Sequence, residues 1–218
     1  FVIGFGRDQA PHAQLTIIAP DGKVEQQALD IAQRQFDIQR INNMDQTKVT
    51  PDPANLARIK AEQDQVNATR ANPSDLRDFL VPFIWPAKGP ISGVYGSQRI
   101  LNGQPRAPHY GIDIAAPIGT PVAATADAVV TLAHQDMFLT GKTVILDHGY
   151  GLSSVYSHLS EITVREGERV SQGQPIGRVG VEITPGEQSA ERARQDLGVG
   201  LDAPISVLVV VESAADVP

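Results

Sequence analysis

The chain has 218 residues, 41% hydrophobic and 20% charged, which allows one large globular domain or two small ones. Its net charge of -7 comes without a basic tract, which argues against nucleic acid as a partner, because phosphate neutralisation needs clustered Lys and Arg. The absence of cysteine excludes disulfides, thiolate nucleophiles and Cys-ligated zinc.

The 19 glycines and 16 prolines predict many turns and short strands rather than a helical bundle. No apolar run approaches the ~20 residues needed to cross a bilayer, and the longest dense run, Val207 to Val211, reads as a strand. The chain begins at Phe1 without a methionine and reads as a fragment, so a signal or anchor would lie upstream.

Residues 14 to 31 read as a hairpin. Gln14 to Ile18 is the first strand, Asp21-Gly22 the turn, and Lys23 to Ile31 the return. Phe36 and Ile38 alternate with polar neighbours and predict another short strand. Residues 1 to 48 are therefore expected to form a small β-rich module. Thr50-Pro51-Asp52-Pro53 then opens a helix, with Asp52 as N-cap and Pro53 at the first helical position. Leu56, Ile59 and Val66 fall on one face of it, the pattern of a connecting helix packed on one side. Residues 49 to 84 read as this helix and a linker. Phe79, Phe83 and Trp85 are expected to be packing anchors rather than a ligand platform.

From Gly93 onward glycine punctuates short strands, expected at Ile112 to Ala115, Val129 to Leu132, Thr143 to Leu146, Ser154 to Ser157, Ile176 to Val179 and Ile205 to Val211. Gly119-Thr120-Pro121-Val122 is weakly echoed by Gly167-Glu168-Arg169-Val170. Lipoyl and biotinyl carrier domains have a similar echo, but they need a lysine at a hairpin tip. Lys142, the nearby candidate, lacks the usual flanking residues.

The segment Pro108-His109-Tyr110-Gly111-Ile112-Asp113 carries the first chemical signal. Positions i and i+4 of a strand share a face, yet four extended residues span ~13 Å. Two ligands of one zinc each sit about 2.0 to 2.2 Å from the metal. The chain should therefore bend between His109 and Asp113, and Gly111 is the residue best able to do so. The second signal is Val155-Tyr156-Ser157-His158-Leu159-Ser160. Here His158 is expected to end a strand and to share a face with Tyr156. It is either a half-buried histidine bonded to a carbonyl or one that orients water and stabilises an oxyanion.

These segments resemble the LytM-type, or M23, zinc metallopeptidases, the lysostaphin-like hydrolases that cut peptide crosslinks in bacterial cell walls. The resemblance rests on Trp85-Pro86, Gly93-Val94-Tyr95-Gly96, His109-Tyr110-Gly111-Ile112-Asp113, Gly119-Thr120-Pro121-Val122, Leu146-Asp147-His148-Gly149, Tyr156-Ser157-His158-Leu159-Ser160 and Gly173-Gln174-Pro175-Ile176-Gly177, in order over residues 85 to 180. It implies a mainly β fold: a compact antiparallel β domain over 85–218, preceded by the small β module and the connecting helix. It implies one zinc ion, with His109 and Asp113 as ligands and His158 as a catalytic histidine. Tyr95, Arg99 and Arg106 are candidate substrate-binding residues, the arginines for a substrate carboxylate. Peptidoglycan peptides would be the substrate, with the protein exported to the bacterial envelope, a setting that a cysteine-free chain fits.

One departure is plain. The family has a His-x-His motif after the segment ending at Gly180, its first histidine catalytic and its second the third zinc ligand. The chain's histidines are His12, His109, His134, His148 and His158, and none follows His158. Anchoring on Gly198-Val199 puts Asp196 at the third-ligand position and Arg194 at the catalytic one. A site of one His and two carboxylates would neutralise Zn²⁺ and weaken carbonyl polarisation, and Arg194 could only stabilise negative charge, because it stays protonated. If Asp196 does not bind, two protein ligands remain and zinc affinity should fall steeply, leaving the ion weakly bound or absent. A third possibility is a shifted reading frame across 181 to 197, which the encoding nucleotide sequence would reveal. The resemblance thus implies either an active zinc endopeptidase or a degenerate module that binds the wall or activates a partner hydrolase. His148 is expected to serve a turn or packing, His134 the surface, and His12 nothing catalytic.

Overall fold

The computed structural model describes residues 4–43, 52–71 and 73–180, and 205–213 as a backbone strand. The predicted hairpin forms from β1 (His12–Ile18) and β2 (Val24–Asp30), paired antiparallel. Its turn is closed by the Asp21 carboxylate, which accepts the Lys23 N–H at 3.0 Å.

The segment after it, β3 (Ile38–Ile41), pairs in parallel with β5 (Gln98–Leu101), some sixty positions on. β5 and β6 (Gln104–Pro105) form a tight hairpin over Asn102 and Gly103, both at positive φ. Such a turn needs left-handed backbone at both central positions, and Asn-Gly supplies it.

The helix α1 (Pro53–Arg70) starts where predicted, with the Asp52 side chain accepting the Asn55 N–H at 2.8 Å. Its inward face differs from the expectation. Leu56 is exposed, and the packed stripe is Ile59, Glu62 and Val66. Val66 joins Leu132, Met137 and Ile145. Glu62 is buried because its carboxylate accepts two hydrogen bonds, 2.7 Å from Phe138 N–H and 2.7 Å from Arg58 Nε–H. A satisfied carboxylate at the centre of the contact turns the helix away from Leu56.

All six predicted strands are present, each longer than predicted. With three short strands they form a nine-stranded sheet among the described residues: β4 (Ile91–Gly93), β7 (Ile112–Ala116), β8 (Pro121–Ala123), β9 (Ala128–Met137), β10 (Gly141–Gly149), β11 (Leu152–Ile162), β12 (Arg169–Val170), β13 (Pro175–Val179) and β14 (Ile205–Ser213). The path runs β12-β9-β10-β11-β14-β7-β4, with β13 bridging β11 and β8. Every pairing in this sheet is antiparallel. The main core lies on one face, where Val122, Val144, Leu146, Tyr156, Ile176 and Val179 are fully buried. The fold is mainly β, as expected. No described helix is long and apolar enough to cross a membrane.

Candidate metal centre and its surroundings

The backbone bends at Gly111, directly before β7. The bend brings His109 Nε2 to 3.2 Å from Asp113 Oδ1, with each side chain about a quarter exposed. On the other side of the ring, Nδ1 lies 3.1 Å from the Val94 carbonyl. A carbonyl only accepts, so Nδ1 carries the proton and Nε2 is the atom turned toward the Asp113 carboxylate. A proton or a metal ion between Nε2 and Oδ1 accounts for that separation, and with the ring neutral the two have the donor arrangement of a metal-binding His/Asp pair with its orienting carbonyl. Gly93 leaves room for this: a Cβ there would fall on the Asp113 carboxylate.

Register places His158 on the same side of the sheet. Tyr156 and Ile112 both pair with Val209 of β14, so their side chains share the core face and Asp113 takes the opposite one. Two strand spacings, about 10 Å, separate the β7 and β11 backbones. Between Tyr156 and Leu159 the strand gains a residue: these pair with Val144 and Lys142, three steps against two. This bulge returns Leu159 to the core face and leaves Ser157 and His158 facing the Asp113 side. His158 therefore lies inside β11 rather than at its end, and it does not share a face with Tyr156 as alternation predicts. Its φ is +58°, a left-handed value that few non-glycine residues adopt, and its N–H donates to the Thr140 carbonyl at 2.8 Å.

Thr140 sits in the β9–β10 turn, which α1 holds from outside. Glu62 takes the Phe138 N–H, and Arg58 donates to the Asp136 carbonyl and, at 3.1 Å, to its carboxylate. The Glu62 hydrogen bond is the main cause that raises the Arg58 pKa above its ordinary value.

His148 is fully buried near the end of β10. Its Nδ1 donates to the Asp127 carbonyl at 2.9 Å, and Nε2 lies 2.7 Å from Ser154 Oγ. Burial lowers its pKa, and the Ser154 hydroxyl bonded to Nε2 is also hydrogen-bonded to the Tyr156 hydroxyl. The Tyr156 hydroxyl, 3.0 Å from Ser154 Oγ and 3.0 Å from the Thr125 N–H, continues this chain through the core. Phe83 packs on the His148 ring and Phe79 on Tyr150, as expected of packing anchors.

Trp85 departs from that expectation, being 65% exposed. It borders a groove of about 390 Å³ with Phe83, Tyr95, Tyr110 and Ile112, on the side of β7 opposite Asp113. Tyr95 packs edge-on with Phe36 and tilted against Tyr110, at 6.2 and 6.4 Å between centroids. Arg99 and Arg106 lie along the β5–β6 hairpin, where the Arg106 N–H bonds the Arg99 carbonyl. His134 Nδ1 accepts the Asp136 N–H, and His12 bonds Asp30 on the exposed hairpin. Asp196 and Arg194 lie outside the described residues, and among the described residues no third metal-ligating side chain joins His109 and Asp113.

The model of Peptidase family M23 matches residues 107–191, which include His109, Asp113 and His158. The chain is 45% identical over 74 residues to the Peptidoglycan DD-endopeptidase ShyA of Vibrio cholerae, covering 34% of this chain and 17% of that protein. It is 36% identical over 96 residues to the Lipoprotein NlpD/LppB homolog of Pseudomonas aeruginosa, covering 44% of this chain and 30% of that one. Over 98 residues it is 35% identical to the Cell division protein DipM of Caulobacter vibrioides, covering 45% and 15%. It thus spans less than a third of the length of each of these relatives. A Pseudomonas aeruginosa crystal structure solved as a candidate peptidase M23 superposes over 96% of this chain and 72% of its own, with a TM-score of 0.67 and 25% identity. Residues 107–191 thus match an M23 peptidase domain of the LytM type.

Proposed function

We propose that the protein is a zinc-dependent endopeptidase that hydrolyses peptide bonds of bacterial cell-wall peptidoglycan in the cell envelope. The observation that carries this reading is the His109–Asp113 pair, with donors 3.2 Å apart and the ring fixed by Val94. These two residues would hold the ion, with Asp196 as the third ligand. Zinc in such a site supplies Lewis-acid polarisation of the scissile carbonyl and lowers the pKa of water. His158, facing the same side of the sheet, would donate a hydrogen bond to the oxygen on which charge develops. Tyr95, Arg99 and Arg106 would contact the substrate peptide, the arginines through a carboxylate. The M23 domain begins near Trp85 in this reading, after the small β module and α1.

A second reading is favoured by one observation, the absence of any histidine after His158. In it the domain is catalytically degenerate and binds the wall or activates a partner hydrolase. Incubating the full chain with crosslinked muropeptides and zinc separates the two. Cleavage that is lost in both His109→Ala and His158→Ala supports the enzyme. Wall binding without cleavage in the unsubstituted protein supports the second reading and removes the first.

A further inference from the structure

We propose that Arg7 and Phe36, which lie outside the M23 match, are positioning residues for His109. The inference rests on the reading of His109 as a metal ligand and adds what holds it in register. The turn Val94 to Ser97 grips His109 at three points. Gly96 N–H donates to the His109 carbonyl at 2.7 Å, His109 N–H donates to the Ser97 carbonyl at 2.8 Å, and the ring donates to the Val94 carbonyl at 3.1 Å. The Ser97 hydroxyl also donates to Val94 O at 2.9 Å, which fixes that carbonyl's direction.

The N-terminal segment in turn grips this turn. Gly96 has φ +86°, and the Phe36 ring fills the place where its Cβ would be. Arg7 Nε donates to the Gly96 carbonyl at 2.8 Å, while its guanidinium lies 4.9 Å over the Phe36 ring and its side chain is 12% exposed. Arg34 covers the same ring at 5.6 Å. The attachment continues along the chain: Gln98 N–H donates to Asp37 O, β3 pairs with β5, and Asn102 N–H donates to Ile41 O.

The consequence is chemical. His109 presents Nε2 to Asp113 only while Nδ1–H has its acceptor at Val94. A neutral imidazole in water exchanges freely between tautomers, so the tautomer is held by the acceptor's position. Removing the Phe36 ring leaves the buried Gly96 without its packing partner and frees the turn that aims Val94 O. Groups that orient a ligating histidine are typically worth 10- to 100-fold in metal affinity, and a residue acting one step further out should fall at the lower end.

The test uses the full chain and two readouts. One is the ¹⁵N chemical shifts of the His109 ring in metal-free protein, which report the tautomer. The other is zinc affinity by chelator competition. Phe36→Ala should mix the His109 tautomers and weaken zinc binding about tenfold, and Phe36→Leu, which restores apolar volume, should recover most of both. A folded Phe36→Ala protein with a single Nδ1–H tautomer and unchanged affinity overturns the proposal. If Phe36→Ala does not fold, Arg7→Met decides, since it keeps the aliphatic stem and removes the bond to Gly96: the same shifts in smaller measure support the proposal, and none overturns it. If the unsubstituted chain takes up no zinc while the tautomer still responds to Phe36, positioning stands and the metal reading of the previous section fails.

Discussion

The carboxylate of Asp113 occupies space that exists because residue 93 has no side chain. β4 pairs Gly93 with Asp113, and a Cβ at Gly93 would fall on the Asp113 carboxylate. Gly93 is not at positive φ, so alanine is compatible with the backbone, and the nearest atoms its Cβ would meet all belong to the Asp113 side chain. Gly93→Ala should therefore leave the fold intact and weaken zinc binding by about tenfold or more, through displacement of one ligand. Chelator competition measures it, and an unchanged affinity would show that Asp113 has another position from which to bind.

His158 is held at φ +58° by a bulge rather than by its own preference. Left-handed backbone costs an L-residue roughly 1–2 kcal/mol, and asparagine tolerates it best after glycine. His158→Asn should thus keep stability within about 1 kcal/mol of the parent, whereas His158→Val should lose more, because a β-branched residue fits that φ poorly. Both should abolish turnover. Urea denaturation checks the order, and a valine variant as stable as the asparagine one would remove the bulge from the account.

The Glu62 carboxylate reaches the β9–β10 turn whose Thr140 carbonyl holds His158. Glu62→Ala leaves the Phe138 N–H without its acceptor, a loss of about 1–3 kcal/mol. Glu62→Gln keeps an acceptor and should lose less. Hydrogen exchange at Phe138 and His158 should accelerate together in the alanine variant. Acceleration at Phe138 alone would mean that the turn does not transmit the change to β11.

Burial depresses the His148 pKa below its ordinary value of 6.5. The unfolded chain therefore binds a proton that the folded one resists, so stability is full above about pH 6.5 and falls as pH drops below it. The slope from this one group is bounded by about 1.4 kcal/mol per pH unit. Denaturation from pH 7.5 to 5 should show this fall. His148→Gln, though less stable throughout, should have a shallower pH dependence over that window, and an identical slope would contradict the assignment.

Local signals made much of this fold legible. Alternation located the strands, Asp21-Gly22 the hairpin turn, and Asp52-Pro53 the start of α1. Asn102-Gly103 carries an equally clear hairpin signal, although strand alternation draws attention only from Ile112 onward. Other features depend on partners distant in sequence. β3 pairs in parallel across some sixty residues, so nothing local marks Phe36 as a neighbour of Gly96. Leu56 completes an apolar stripe, but Glu62 fixes the packed face through an amide contributed by another element. The bulge at Ser157-His158 is silent because Tyr-Ser-His-Leu alternates acceptably in either register. The groups that hold the two histidines, Val94 O and Thr140 O, are backbone carbonyls and leave no mark in composition. His109 and Asp113 were legible because side-chain type, spacing and a bendable glycine coincide.

The central claim is a metal between His109 and Asp113. Anomalous diffraction at the zinc edge, on crystals of the full chain grown with zinc, tests it directly. The account predicts one peak about 2.0–2.2 Å from both His109 Nε2 and an Asp113 carboxylate oxygen, with Asp196 as the third protein ligand. No peak at this pair, in crystals grown with saturating zinc, would contradict it.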